Sequence, residues 1–174
     1  GLYMKKDLNL EPIVFGGNQE KGLRSGTENV PGIVGLGKAV EIINRNFKDE
    51  KHKVLDLKKY FADRISHEIP DIKINSFLDE KGSPYILNVS FLGVRGEVLL
   101  HFLEEKGVYV STASACASHG SGKSHVLQAI GLNNNEIEGA IRFSFSYQNT
   151  IEEIDYATDM LKSSVEEIRK ITMR

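Results

Sequence analysis

Between Pro31 and Pro70 the apolar residues fall on two successive stripes at helical spacing, and that pattern constrains the fold more than any other feature of the chain. Pro31 suits the first turn of a helix, where a missing N–H costs nothing. Ile33, Leu36, Val40, Ile43 and Phe47 then recur at intervals of three and four, as one face of a helix requires. After Lys48-Asp49-Glu50-Lys51 a second stripe of Val54, Leu57, Phe61, Ile65 and Ile69 runs to the break at Pro70. Two helices or one bent helix would satisfy this. The charged run between the stripes reads as a solvated face and as the best candidate for a domain boundary.

Beyond Pro70 the periodicity becomes mixed. Residues 72–75 and 85–92 read as strands, 96–106 as a helix, and 108–111 as a short strand that delivers the chain into a loop of small residues. Residues 124–130 read as a short helix stopped by Gly131, and Asn133-Asn134-Asn135 as a turn or the cap of another short helix. In 140–146 the residues Ile141, Phe143 and Phe145 alternate with Arg142, Ser144 and Ser146, so a half-buried strand holds Arg142 on its polar face. The last helix opens on a Thr150–Glu153 capping box. It carries the stripe Ile154, Leu161, Val165 and Ile168, with Arg169 and Lys170 near its negative end. Upstream, Gly1-Leu2-Tyr3-Met4 reads as the end of a strand already under way, as in a chain cut from a longer one, and 12–15 as another short strand. The order of elements predicts an α/β or α+β architecture.

A chain of 174 residues, 40% hydrophobic and 26% charged, can bury one good core, or one core and a fragment of a second. Its net charge of -2 gives no general pull toward nucleic acid or anionic lipid, so any phosphate binding must be local. No apolar run reaches the roughly 18 residues of a membrane span, and the N-terminus lacks the pattern of a secretory signal. Cys116 is the only cysteine. It cannot form an internal disulfide, which fits a reducing, cytoplasmic setting.

Three constellations could carry chemistry. The loop 16–29 is punctuated by glycines and offers Arg24, Ser25 and Thr27 just before a helix, where free N–H groups and the helix dipole favour an anion. Its plainer role would be a surface turn in which Ser25, Thr27 or Asn29 caps that helix. Gly120-Ser121-Gly122-Lys123-Ser124 resembles the end of a nucleotide-binding P-loop, although Ala117 stands where that pattern wants a glycine. Cys116 lies among residues too small to bury it, with His119, Lys123 and His125 nearby as possible activating neighbours. A thiol nucleophile beside Arg142 suits a substrate with a carboxylate, which a guanidinium grips with two parallel donors. For Arg142 the commoner role is a surface ion pair. No metal site is expected.

Together the ordered motifs resemble those of the NifS-like cysteine desulfurases. They are the loop Gly16-Gly17-Asn18-Gln19-Glu20-Lys21-Gly22-Leu23-Arg24-Ser25-Gly26-Thr27-Glu28-Asn29, then Ile86-Leu87-Asn88-Val89-Ser90-Phe91, Ser111-Thr112-Ala113-Ser114-Ala115-Cys116, Ser124-His125-Val126-Leu127 and Ile141-Arg142-Phe143-Ser144. Thr112-Ala113 stands where the family usually has Ser-Gly, and Asn18 where it usually has a third glycine; neither change removes a functional group.

The resemblance implies a class V aminotransferase fold, a mixed sheet flanked by helices in a pyridoxal-phosphate-dependent transferase of fold type I. It implies a homodimer that takes sulfur from L-cysteine, releases L-alanine and leaves a persulfide on Cys116. Arg142 then matches the arginine that binds the substrate carboxylate, and Thr27 the residue that donates to the cofactor phosphate across the dimer. Residues 1–47 would be the remnant of the large pyridoxal-phosphate domain with phosphate loop 16–29, and residues 48–174 the small C-terminal domain carrying the cysteine loop 111–123. The family's Schiff-base lysine, and the histidine and aspartate that hold the cofactor ring, match no position here, so the chain alone is expected to be inactive. The sulfur acceptor would be a protein such as an iron–sulfur scaffold, or a carrier toward transfer-RNA thiolation. A non-catalytic docking domain for such an acceptor is the alternative from another functional class.

Overall fold

The structure is a computed structural model that describes residues 1–112 and 124–172. The chain divides into two units, Gly1–Phe47 and Lys48–Arg174. Among the described residues no helix is long and apolar enough to cross a membrane.

In Gly1–Phe47 the backbone forms a short 3-10 turn at Gln19–Gly22 and then enters α1, Val30–Glu68, a 39-residue helix that accounts for both apolar stripes. Asn29 caps it, its side-chain Oδ1 accepting from Gly32 N at 3.2 Å. The strands expected at residues 1–4 and 12–15 do not form. A strand needs a neighbour to accept its ladder of hydrogen bonds, and this segment has only isolated contacts, such as Ser25 N to Val14 O at 3.4 Å. Apolar residues at strand spacing therefore stay exposed, with Ile13 at 91% and Phe15 at 82%. Ile33, Leu36, Val40, Ile43 and Phe47 on the first stripe of α1 are likewise exposed.

The second stripe of α1 has the opposite fate. Val54, Leu57, Phe61 and Ile65 are buried with Ile69 in the core of Lys48–Arg174. The core face belongs to a four-stranded sheet made of β1 (Ile72–Ile74), β2 (Ile86–Phe91), β3 (Ser111–Thr112) and β4 (Ala140–Ser144), in the order β1-β2-β4-β3. Alternation sends Leu87, Val89, Phe91, Ile141 and Phe143 to that face. There they meet α1, Leu99 and Leu103 of α2 (Gly96–Glu105), and Leu161 and Val165 of α5 (Ile151–Thr172). Phe61 fixes the helix–sheet contact, packing edge-on against Phe143 with ring centroids 4.9 Å apart and against Phe145 at 5.8 Å.

Every neighbouring pair in the sheet is antiparallel, not mixed as the resemblance implied. The reason lies in the connections. The helix α2 carries the chain from β2 to β3, and these two strands run in the same direction, but β4 inserts between them and opposes both. The crossover that would have made a parallel pair is thereby split.

Two short helices, α3 (His125–Ala129) and α4 (Asn134–Glu138), are set by their caps. Asn133 and Glu136 form a reciprocal capping box on α4, and Gly131 ends α3 at φ +86°. Their apolar residues Leu127 and Ile137 pack with Ala140 in a second, smaller cluster. Gly139 makes this possible, because a Cβ at that position would run into the carbonyl oxygen of Phe91. α5 opens as expected, Glu153 N donating to Thr150 Oγ1 at 3.3 Å and Thr150 N to Glu153 Oε2 at 3.2 Å.

Candidate active site

In the loop 16–29 the polar side chains divide by role. Ser25 is buried and donates from its hydroxyl to Gly17 O at 2.6 Å, closing the loop on itself. Arg24 turns back on the chain, its guanidinium donating to Gly26 O at 3.1 Å and Thr27 O at 2.6 Å. Gln19 Oε1 takes the Gly26 N–H at 3.1 Å. Since Asn29 supplies the helix cap, the capping role is filled without Thr27. Thr27 is exposed, and its hydroxyl has no hydrogen-bond partner among the described residues.

The strand β4 presents Arg142 on the exposed face, between buried Ile141 and Phe143, as its alternation predicts. The antiparallel register places Asn88 of β2 directly beside it on one side and Ser111 of β3 on the other. Arg142 donates from Nη2 to Ser111 Oγ at 3.2 Å. Directly opposed residues share a sheet face, so Asn88, Arg142 and Ser111 form one polar row across three strands. The carboxylate ion pair that was the commoner expectation for Arg142 is not found among the described residues. Its charge is left available for an anion.

Cys116 lies outside the described residues, as do His119, Lys123 and all of Gly120-Ser121-Gly122-Lys123. Ser124 is described, and its side chain caps α3 by accepting from Leu127 N at 3.4 Å. The rest of the nucleotide-binding alternative, Gly120-Ser121-Gly122-Lys123, lies outside the described residues. His125 is exposed on α3.

Asn88 and Ser111 were not singled out individually from the sequence. The signal for Asn88 was present, because in Ile86-Leu87-Asn88-Val89-Ser90-Phe91 the polar residues alternate with the core residues. What the alternation could not supply was the register that sets Asn88 opposite Arg142.

The family model for class-V aminotransferases matches residues 2–157. A cysteine desulfurase IscS of Clostridium botulinum is 39% identical over 98% of this chain and 43% of its own length. One from Methanosarcina thermophila is 36% identical over 98% of this chain and 42% of its own length. Among solved structures, a NifS-like protein superposes with a TM-score of 0.81 at 34% identity, covering 95% of this chain and 41% of that one. A NifS-like protein from Rickettsia africae gives 0.77 at 25% identity, covering 91% of this chain and 41% of that one. The chain thus spans less than half the length of the curated relatives it matches.

Proposed function

This chain belongs to the class-V aminotransferase family, and from that we propose that it forms part of a cysteine desulfurase, taking sulfur from L-cysteine, releasing L-alanine and leaving a persulfide on Cys116. The observation that carries the proposal is the match to cysteine desulfurases across nearly the whole chain. On this reading residues 1–47 belong to the large cofactor domain, and residues 48–174 are the small domain with the cysteine loop 111–123. The active form is a homodimer, it works in the cytoplasm, and its sulfur passes to an acceptor protein such as an iron–sulfur scaffold.

The donor set of loop 16–29 fits one contact to pyridoxal phosphate. Among the described residues the exposed Thr27 hydroxyl has no partner, while Ser25, Arg24 and Asn29 are committed within the loop, so Thr27 would hold a phosphate oxygen, in the partner subunit's site. When bound, the cofactor supplies an electron sink at the substrate carbons. The chain's own residues bind and accept. Arg142 grips the α-carboxylate of L-cysteine through its planar fork, with Ser111 Oγ holding one nitrogen of that fork in place. Cys116, as thiolate, attacks the substrate sulfur. An S–S bond forms as the Cβ–S bond breaks, the bonding pair stays with carbon, and protonation there completes L-alanine. Sulfur is oxidised and carbon reduced by the same two electrons, so no outside oxidant is needed.

In the full-length enzyme, Arg142→Ala is expected to raise KM for L-cysteine about a hundredfold, the worth of a two-pronged charged hydrogen bond, while cofactor absorbance is retained. L-alanine release at an unchanged KM would overturn the assignment.

A further inference from the structure

We propose that Asn88 is a second binding residue for the substrate carboxylate, donating from its side-chain amide beside Arg142; this rests on the desulfurase reading above. Asn88 is the ladder partner of Arg142 and shares its sheet face. Its amide is held from the opposite side. Asn75 Nδ2 donates to Asn88 Oδ1 at 2.8 Å and to Ser90 Oγ at 2.8 Å. The backbone is pinned as well, Asn88 N donating to Ser76 Oγ at 2.8 Å and Asn75 N to Asn88 O at 2.9 Å.

This arrangement leaves Asn75 Oδ1 as the one buried side-chain polar atom without a partner among the described residues. Such an orphan is costly, and native structures keep few of them without a compensating role. Here both amide protons of Asn75 are spent on orienting its neighbours. With Oδ1 of Asn88 engaged by Asn75, just past the end of β1, its Nδ2 is the branch of the amide turned away from Asn75. That nitrogen has no hydrogen-bond partner among the described residues, and Asn88 as a whole is half-buried. A half-buried strand residue with a fixed acceptor and a donor left over, next to a guanidinium that has no carboxylate partner among the described residues, is suited to an anion that Arg142 alone would leave with unfilled lone pairs. A carboxylate has about four such sites, and an arginine fork fills two of them. Asn88 therefore fixes the rotation of the carboxylate about the guanidinium axis, and with it the direction in which the substrate sulfur points.

The test uses the full-length, cofactor-loaded enzyme and two ligands, L-cysteine and cysteamine, which lacks the carboxylate. Affinity is read by titrating the cofactor absorbance, and KM and kcat are measured for L-cysteine. Asn88→Asp keeps the acceptor for Asn75 and replaces the free donor by a negative oxygen. It is expected to weaken L-cysteine binding and raise KM by about tenfold or more, and to leave cysteamine affinity within about twofold of wild type. Asn88→Ala should do the same more mildly, and the Asp variant carries the test if the Ala variant does not fold. Unchanged L-cysteine affinity in Asn88→Asp, as expected if the oxygen of Asn88 faced Arg142, would overturn the proposal. So would equal weakening of both ligands. Failure of the underlying desulfurase reading looks different, because the wild-type enzyme itself would then release no L-alanine from L-cysteine.

Discussion

Lys58 shows how a single buried charge supports the site from a distance. It lies on α1 with no exposed surface, yet its Nζ donates to Phe77 O at 2.7 Å and Ser83 O at 2.8 Å. Burial pulls its pKa below the ordinary lysine value, and the nearby Asp79 partly restores it. The side chain ties the turn before β2 to the helix, and β2 is the strand that sets Asn88 beside Arg142. Lys58→Met keeps the apolar stem and removes the donor from both carbonyls. It is expected to lower the stability of the 174-residue chain by about 2 kcal/mol, seen as a lower urea midpoint with an unchanged slope. A wild-type midpoint would mean that the two carbonyls find other donors.

At the scale of elements, Arg64 joins α1 to α5. Its guanidinium donates to Glu68 Oε1 at 2.8 Å on its own helix, and to Asp155 Oδ1 at 2.7 Å and Asp159 Oδ1 at 3.2 Å on α5. The bond from Arg64 lowers the pKa of Glu68, and the Tyr60 hydroxyl followed by Arg64 lowers that of Asp155. The folded chain therefore releases these protons more readily than the unfolded one. Their stabilisation is fully present above the ordinary values of 4.5 and 3.8 and is lost as the pH falls through the lower folded ones. In Arg64→Met the fall in stability on acidification is expected to be shallower than in wild type, measured by urea unfolding at a series of pH values; parallel curves would remove Arg64 from that role. Elements with local signals were legible in the sequence: the Thr150–Glu153 box, the Gly131 stop and the alternation around Arg142 all act within a few residues. Elements defined by a partner were not. The strand expected at 108–111 forms instead at Ser111–Thr112, because pairing with Arg142 and Ile141 of β4, not the apolarity of Val108 and Val110, decides its position. The two stripes of α1 look alike in sequence, yet only the second is buried. Periodicity states which face is apolar and leaves open what covers it.

Over the whole molecule, every buried hydrophobic side chain among the described residues belongs to the compact unit Lys48–Arg174. Gly1–Phe47 contributes the closed loop in which the Thr27 hydroxyl has no partner among the described residues. The proposed labour is divided along the same line, with the cofactor phosphate served by one unit, and the substrate carboxylate and the travelling sulfur by the other. Arg142 and Asn88 are set side by side by the strand register, and Asn88 is held by its hydrogen bond from Asn75. Cys116 rests on its chemistry and its place four residues beyond Thr112. The most direct test is therefore mass spectrometry of the peptide bearing Cys116, from full-length enzyme mixed with sulfur-labelled L-cysteine and alkylated under non-reducing conditions. One labelled sulfur atom is expected on Cys116, released by reductant and matched by an equal amount of L-alanine. L-alanine formed with no labelled sulfur on Cys116, or at an undiminished rate in Cys116→Ala, would contradict the assignment of Cys116 as the persulfide carrier.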